Sequence, residues 1–154
     1  MDERQMRAHL ANARVGHLAT VTPNGLPHVV PICFTLQGDD VFSVVDFKPK
    51  STIELARLEN VRANPTTSLV VDHYDDDQWE RLWWVRVDGQ ARVIESGAEH
   101  NTAIQLLRTK YPQYSRRRPT GPVIALAVHR WTGWSASNAT ARASSLVRQT
   151  GRNE

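Results

Sequence analysis

VGHLATVTPNGLPHVVPICFTLQGDDVFSVV, residues 15–45, decides the fold class. Its first part, VGHLATVT (15–22), is rich in β-branched residues, and PNG (23–25) is a hairpin turn in which Gly25 can take a positive φ. LPHVVPICFTL (26–36) reads as the return strand, QGDD as a second turn, and VFSVV (41–45) as a third strand. No helical segment separates these strands, so a βαβ crossover is disfavoured and an antiparallel meander is predicted. Pro27 and Pro31 cannot donate to a ladder, which places their strand at a sheet edge or at a bulge.

Outward from that stretch the same periodicities continue. Residues 2–14 read as a helix, with Met6 and Leu10 four apart, and TTSLVVDHY (66–74) as a strand. WERLWWVRVDGQARVIE (79–95) is a long strand interrupted by Gly89, read as a bulge or bend, and its neighbours Trp83 and Trp84 point to opposite faces. A helix is expected over 97–110 with Ile104 and Leu107 inward, then a last strand over 122–136. The class is mainly β with peripheral helices (α+β). It is a six-stranded antiparallel barrel, because closure removes exposed edges. One domain is expected over 1–136, followed by a flexible tail over 137–154.

The composition, 40% hydrophobic and 23% charged over 154 residues, is that of a soluble globular domain. The single cysteine, Cys33, excludes an intramolecular disulfide framework and fits a reducing compartment. No apolar run approaches a membrane span, and the N-terminus lacks a signal-peptide core, so a cytoplasmic location without membrane partners is expected. The six histidines lack metal-ligand spacing, and no phosphate-loop, nucleophile-elbow or dinucleotide fingerprint occurs. The region after Ser115 carries seven arginines against one acid, which suggests an anionic ligand. It lacks the interleaved aromatics of a single-strand nucleic-acid platform.

One turn stands out for its chemistry. In VDFKPKSTIELARLENVRANP (45–65), Ser51 and Glu54 form a capping box that starts a helix near Thr52, beside Lys48 and Lys50. Unpaired helix N–H groups and two lysines suit a phosphate or carboxylate; an ordinary solvent-facing cap reads equally from these residues.

The ordered set of the TPNG-P hairpin, NP before TSLVV, the strand around Gly89 and the terminal W-GW resembles the pyridoxamine-phosphate-oxidase-like split-barrel flavoproteins. The resemblance runs from about Val15 to Ser135 and is nearest to the branch that uses the deazaflavin coenzyme F420. It implies a split β-barrel of the FMN-binding type, a homodimer with its cofactor groove between protomers, and a small-molecule substrate. The expected function is hydride transfer from reduced F420 to a small unsaturated or quinone-like acceptor. FMN is the alternative cofactor, and a non-catalytic cofactor-binding protein the alternative role. Absence of an acid–base pair agrees with chemistry carried by a cofactor, and no catalytic side chain is assigned.

Carried over residue by residue, the resemblance assigns the phosphate to Lys50, Ser51 and Thr52, with Lys48 adjacent and Arg57 as second cation. Counting back seven residues from Asn64 favours Arg57, with Asn60 three residues on; both registers stay open. His28, Val30, Pro31 and Ile32 are implied to lie beneath the ring and to contact it through main-chain groups, with the Pro31 face towards it. Trp131 lines the pocket, and Trp84 and Arg86 reach the partner's cofactor.

Overall fold

The computed structural model describes residues 1–45 and 52–137, and the side chains of all of these except 52–55. The turn residues Lys48, Lys50 and Ser51, the side chain of Thr52, and the tail beyond 137 therefore lie outside the described residues. The order of elements is α1 (Glu3–Asn12), β1 (Gly16–Val21), β2 (Pro27–Ile32), β3 (Thr35–Gln37), β4 (Asp40–Val44), α2 (Thr52–Ala63) and β5 (Thr66–His73). A 3-10 turn (Trp79–Arg81) follows, then β6 (Trp83–Ile94), α3 (Ala98–Lys110), α4 (Pro112–Arg116) and β7 (Val123–Ser135).

The seven strands form one antiparallel sheet in the order β2-β1-β5-β6-β7-β4-β3. The split-barrel class expected from sequence is observed, with two differences. The segment 26–36 is two strands, and they do not belong to a meander: β2 pairs with β1 at one edge, while β3 and β4 form the other edge. The chain crosses between edges within Cys33–Phe34, which is what curls the sheet into a barrel.

The reason for the break lies in Phe34, fully buried and without a strand partner. Its N–H donates to the Tyr111 hydroxyl at 3.0 Å, and that hydroxyl faces both the Phe34 carbonyl at 3.0 Å and the Arg14 carbonyl at 2.9 Å. A side chain thus replaces the neighbouring strand and satisfies a buried peptide group. Over the same seam the Lys110 ammonium sits 4.2 Å from the Phe34 ring centre, buried and without a hydrogen-bond partner among the described residues.

Two apolar clusters explain the strand patterns. Inside the barrel, Leu18, Leu69, Val71, Val85 and Val87 meet Met6 and Leu10 of α1 and Leu58 and Val61 of α2. Outside it, α3 lays Ala103, Ile104 and Leu107 on Phe42, Val44, Val123 and Ala125. β4 and the first half of β7 are therefore covered on both faces, which is why they read as continuous apolar runs. β1 and β5 alternate, since only their inner face is covered.

The expected bulge is present, and the extra residue is on β7. Asp88 faces Arg130 while Gly89 faces Val128, leaving His129 unpaired. A Cβ on Gly89 would lie 1.9 Å from the Ala127 carbonyl oxygen, so no side chain fits there. The PNG turn is as expected, with Gly25 at φ 86° and Gly25 N–H donating to the Thr22 carbonyl at 2.9 Å.

Three outcomes follow from this packing. Gly89→Ala is expected to destabilise the fold by at least about 2 kcal/mol in urea unfolding, because the clash is with backbone. Tyr111→Phe is expected to cost about 1–3 kcal/mol by leaving the buried Phe34 N–H unpaired. Burial, and then the nearby Arg14 charge, push the Lys110 ammonium down from 10.5 to about 8. Between those pH values the unfolded chain holds a proton that the folded chain has released, so stability rises with pH across the window. Burial raises the Tyr111 phenol above its ordinary 10.0, so beyond that pH the unfolded chain ionises first and stability falls again. The urea midpoint should thus climb between pH 7.5 and 9.5, and Lys110→Met should flatten that climb.

Candidate functional site

The strand registers lay two uninterrupted rows of side chains across the outer face. Pro31 of β2 is opposite His17 of β1, His17 opposite Val70 of β5, Val70 opposite Arg86 of β6, and Arg86 opposite Thr132 of β7. The adjacent row runs Val29, Ala19, Ser68, Asp88, Arg130. Asp72, Trp84 and Trp134 continue the face beyond them. None of the described helices contributes to the core on this side of β2, β1 and β5, and Val29 (61%) and Trp134 (42%) are exposed there.

Its polar centre is Asp88. The Ser68 hydroxyl donates to one carboxylate oxygen at 2.5 Å; Arg86 Nε and Arg130 Nε donate to the other at 3.2 and 3.1 Å. Partial burial by itself would push this carboxyl up, but the Ser68 and Arg130 hydrogen bonds and the two guanidinium charges hold it below its ordinary value.

Several expected site residues share this face and several do not. Pro31, Trp84 and Arg86 are on it, with Pro31 and Arg86 three strand spacings apart, about 14 Å. His28, Val30 and Ile32 point to the opposite face of β2; the Nδ1 of His28 is buried there with no hydrogen-bond partner among the described residues. Asn60 is buried, and its amide donates to the Thr20 hydroxyl at 3.1 Å, tying α2 to β1. Arg57 is half-buried on α2. Trp131 lies on the inner side opposite Val87, packed against the core and beneath the Arg7 guanidinium at 4.5 Å. The helix predicted to begin near Thr52 does begin there.

Among the described strands β2 is terminal and pairs with β1 alone, so its other edge is not hydrogen-bonded to any of them. Main-chain groups on that edge are available to a ligand. Sequence reading missed Ser68, Asp88 and Arg130. The Arg86-x-Asp88 spacing on a strand does place both on one face, whereas Arg130 joins them only through the register of β7.

Asp88→Ala should leave Arg86 and Arg130 on one face without an acid between them. Its urea midpoint is expected to fall relative to wild type at about 20 mM salt, and the gap should narrow at about 1 M, where the Debye length is roughly 3 Å. A salt-independent gap would mean that packing, not charge, is what the substitution removes.

The chain is similar in fold to several solved structures. A conserved hypothetical protein from Mycobacterium tuberculosis matches with a TM-score of 0.72 at 19% identity, over 91% of this chain and 88% of that one. A FAD-binding protein from Mesorhizobium loti matches with 0.65 at 20% identity, over 86% and 94%. A heme binding protein from Mycobacterium smegmatis matches with 0.65 at 19% identity, over 88% of this chain and 59% of that one. No curated protein matches. The model of the pyridoxamine 5'-phosphate oxidase family matches residues 2–135, nearly the whole described fold, and the chain belongs to that family.

Proposed function

We propose that this protein is a homodimeric oxidoreductase that binds a flavin-type cofactor, F420 in first place and FMN in second, and uses it to reduce a small unsaturated or quinone-like acceptor. The observation that carries the reading is the family match over residues 2–135. Similarity to a FAD-binding protein of the same fold agrees with it. When bound, the cofactor supplies the hydride chemistry, and this chain's residues bind and orient.

The described residues fit such a group in one respect: the edge of β2 that pairs with none of the described strands offers main-chain groups to a ring edge. The phosphate would be held by the turn before α2, with Lys50 as the leading ligand and Arg57 as the alternative. F420 is preferred for its acidic tail, which suits the basic excess of the chain, net charge +3.

Dimerisation has its own support. Val29, Pro31 and Trp134 are exposed on an outer face that β2, β1, β5 and β6 build together. A partner's Arg86 and Trp84 would close a groove over the first protomer's β2. The similarity to a heme binding protein gives the non-catalytic binder its place as the second reading.

Equilibrium titration with F420 and with FMN tests the cofactor, and tight FMN binding with no F420 binding reverses the order. Lys50→Ala should weaken binding by about 1.5–3 kcal/mol, the scale of one charge-assisted hydrogen bond. A larger loss for Arg57→Ala identifies the other register. Single-turnover oxidation of the reduced cofactor by a panel of enones and quinones separates enzyme from carrier. Light scattering should give twice the 17.4 kDa chain mass, and the mass of one chain overturns the dimer.

A further inference from the structure

α1 closes one end of the barrel, and along its flank lies a second concavity that shares no residue with the cofactor set above. A cavity of about 440 Å³ is bounded by α1 at Gln5 and His9, by His73 at the end of β5, by Arg81 of the 3-10 turn, by Trp83 and by Ser135. An adjoining cavity of about 390 Å³ continues past Arg14 and Asp72. Both are of the size of small-molecule sites. His9, His73 and Trp83 line the two together.

These three rings form one stacked aromatic cluster that walls the cleft. The His9 ring stacks on Trp83 with centroids 4.0 Å apart and planes at 27°, and His73 lies 6.1 Å from the same ring at 21°. Anchoring α1 does not require them. Met6 and Leu10 are already buried in the core, and Arg7 binds Glu3, Asp39 and the Gly38 carbonyl while covering Trp131. Burial, and then the nearby His73, keep His9 below the usual imidazole range, so at neutral pH its ring is an uncharged stacking face.

The polar groups around the wall narrow the ligand. Among the described residues no set of three or more His, Cys, Asp or Glu could hold a metal ion. Arg81 lines the larger cavity and its guanidinium has no ion-pair partner among the described residues. Glu80 and Asp72 on the rims oppose a multiply charged anion. The Arg14 guanidinium lies over the Tyr111 ring at 5.0 Å, which leaves Arg81 as the cation for a ligand; stacked rings, that guanidinium and flanking acids suit a ring that bears a single carboxylate.

We propose that this cleft is a second small-molecule site for a planar aromatic monocarboxylate, its ring against His9, Trp83 and His73 and its carboxylate on Arg81. It does not depend on the function proposed above. Calorimetric titration of the full chain with benzoate tests it, with benzyl alcohol and cyclohexanecarboxylate as probes lacking the charge and the aromatic face. One benzoate should bind per chain, with or without saturating FMN, and each control should bind at least about tenfold more weakly, a difference of about 1.4 kcal/mol. Arg81→Ala should lower benzoate affinity at least about tenfold at an unchanged melting temperature, since Arg81 is an exposed turn residue. The proposal is overturned by any of three results: no saturable binding below about 10 mM benzoate (roughly −2.7 kcal/mol), an Arg81→Ala variant of unchanged affinity, or displacement of benzoate by FMN. Failure of FMN to bind at all would count against the cofactor reading alone.

Discussion

The fold depends on how one phenol hydroxyl closes a seam. Between Ile32 and Thr35 the chain passes from one edge of the sheet to the other, and there Phe34 has no strand beside it. A buried peptide without a partner would cost about as much as many a whole substitution. Tyr111, seventy-seven residues away in sequence, supplies acceptor and donor at once. Because the hydroxyl also faces the Arg14 carbonyl, the same atom joins the α1–β1 connection, the barrel seam and the end of α3. Lys110 belongs to this arrangement as its burden: its ammonium covers Phe34 and Tyr111 by cation–π contact but finds no hydrogen bond among the described residues.

A second constraint, the bulge, decides what the outer face displays. Along a regular strand, side chains change face at every residue, so Val128 inward would put Arg130 inward and Trp131 outward. The extra residue at His129 reverses that parity. Arg130 thereby turns out to meet Asp88, and Trp131 turns in beneath Arg7. Gly89 makes the reversal possible because the Ala127 carbonyl oxygen occupies the space where its Cβ would be.

The helices divide the barrel surface between them. α1 and α2 fill its interior, and α3 covers the outer side of β4 and β7. What remains is a broad sheet face with an ionic cluster at its middle and exposed apolar residues around it. That division couples the two proposed sites to different parts of the molecule. The proposed cofactor groove would use the uncovered face, and the proposed aromatic cleft the flank where α1 meets the ends of β5, β6 and β7.

Much was legible in the residues alone. Strand identities, the PNG turn, the edge position implied by Pro27 and Pro31, the start of α2 and the irregularity at Gly89 all follow from local steric rules. Those rules act over a few residues and leave their mark on adjacent letters. The sequence could also place Arg86 and Asp88 on one face, since spacing by two is enough. It could not show that residues 26–36 divide into two strands at opposite edges, because the divider is a hydroxyl from another part of the chain. Nor could it reveal the Asp88–Arg130 pair, the inward turn of Trp131 or the stacking of His9 and His73 on Trp83. Each of these depends on register between segments distant in sequence, and register is fixed only when the apolar faces are buried together.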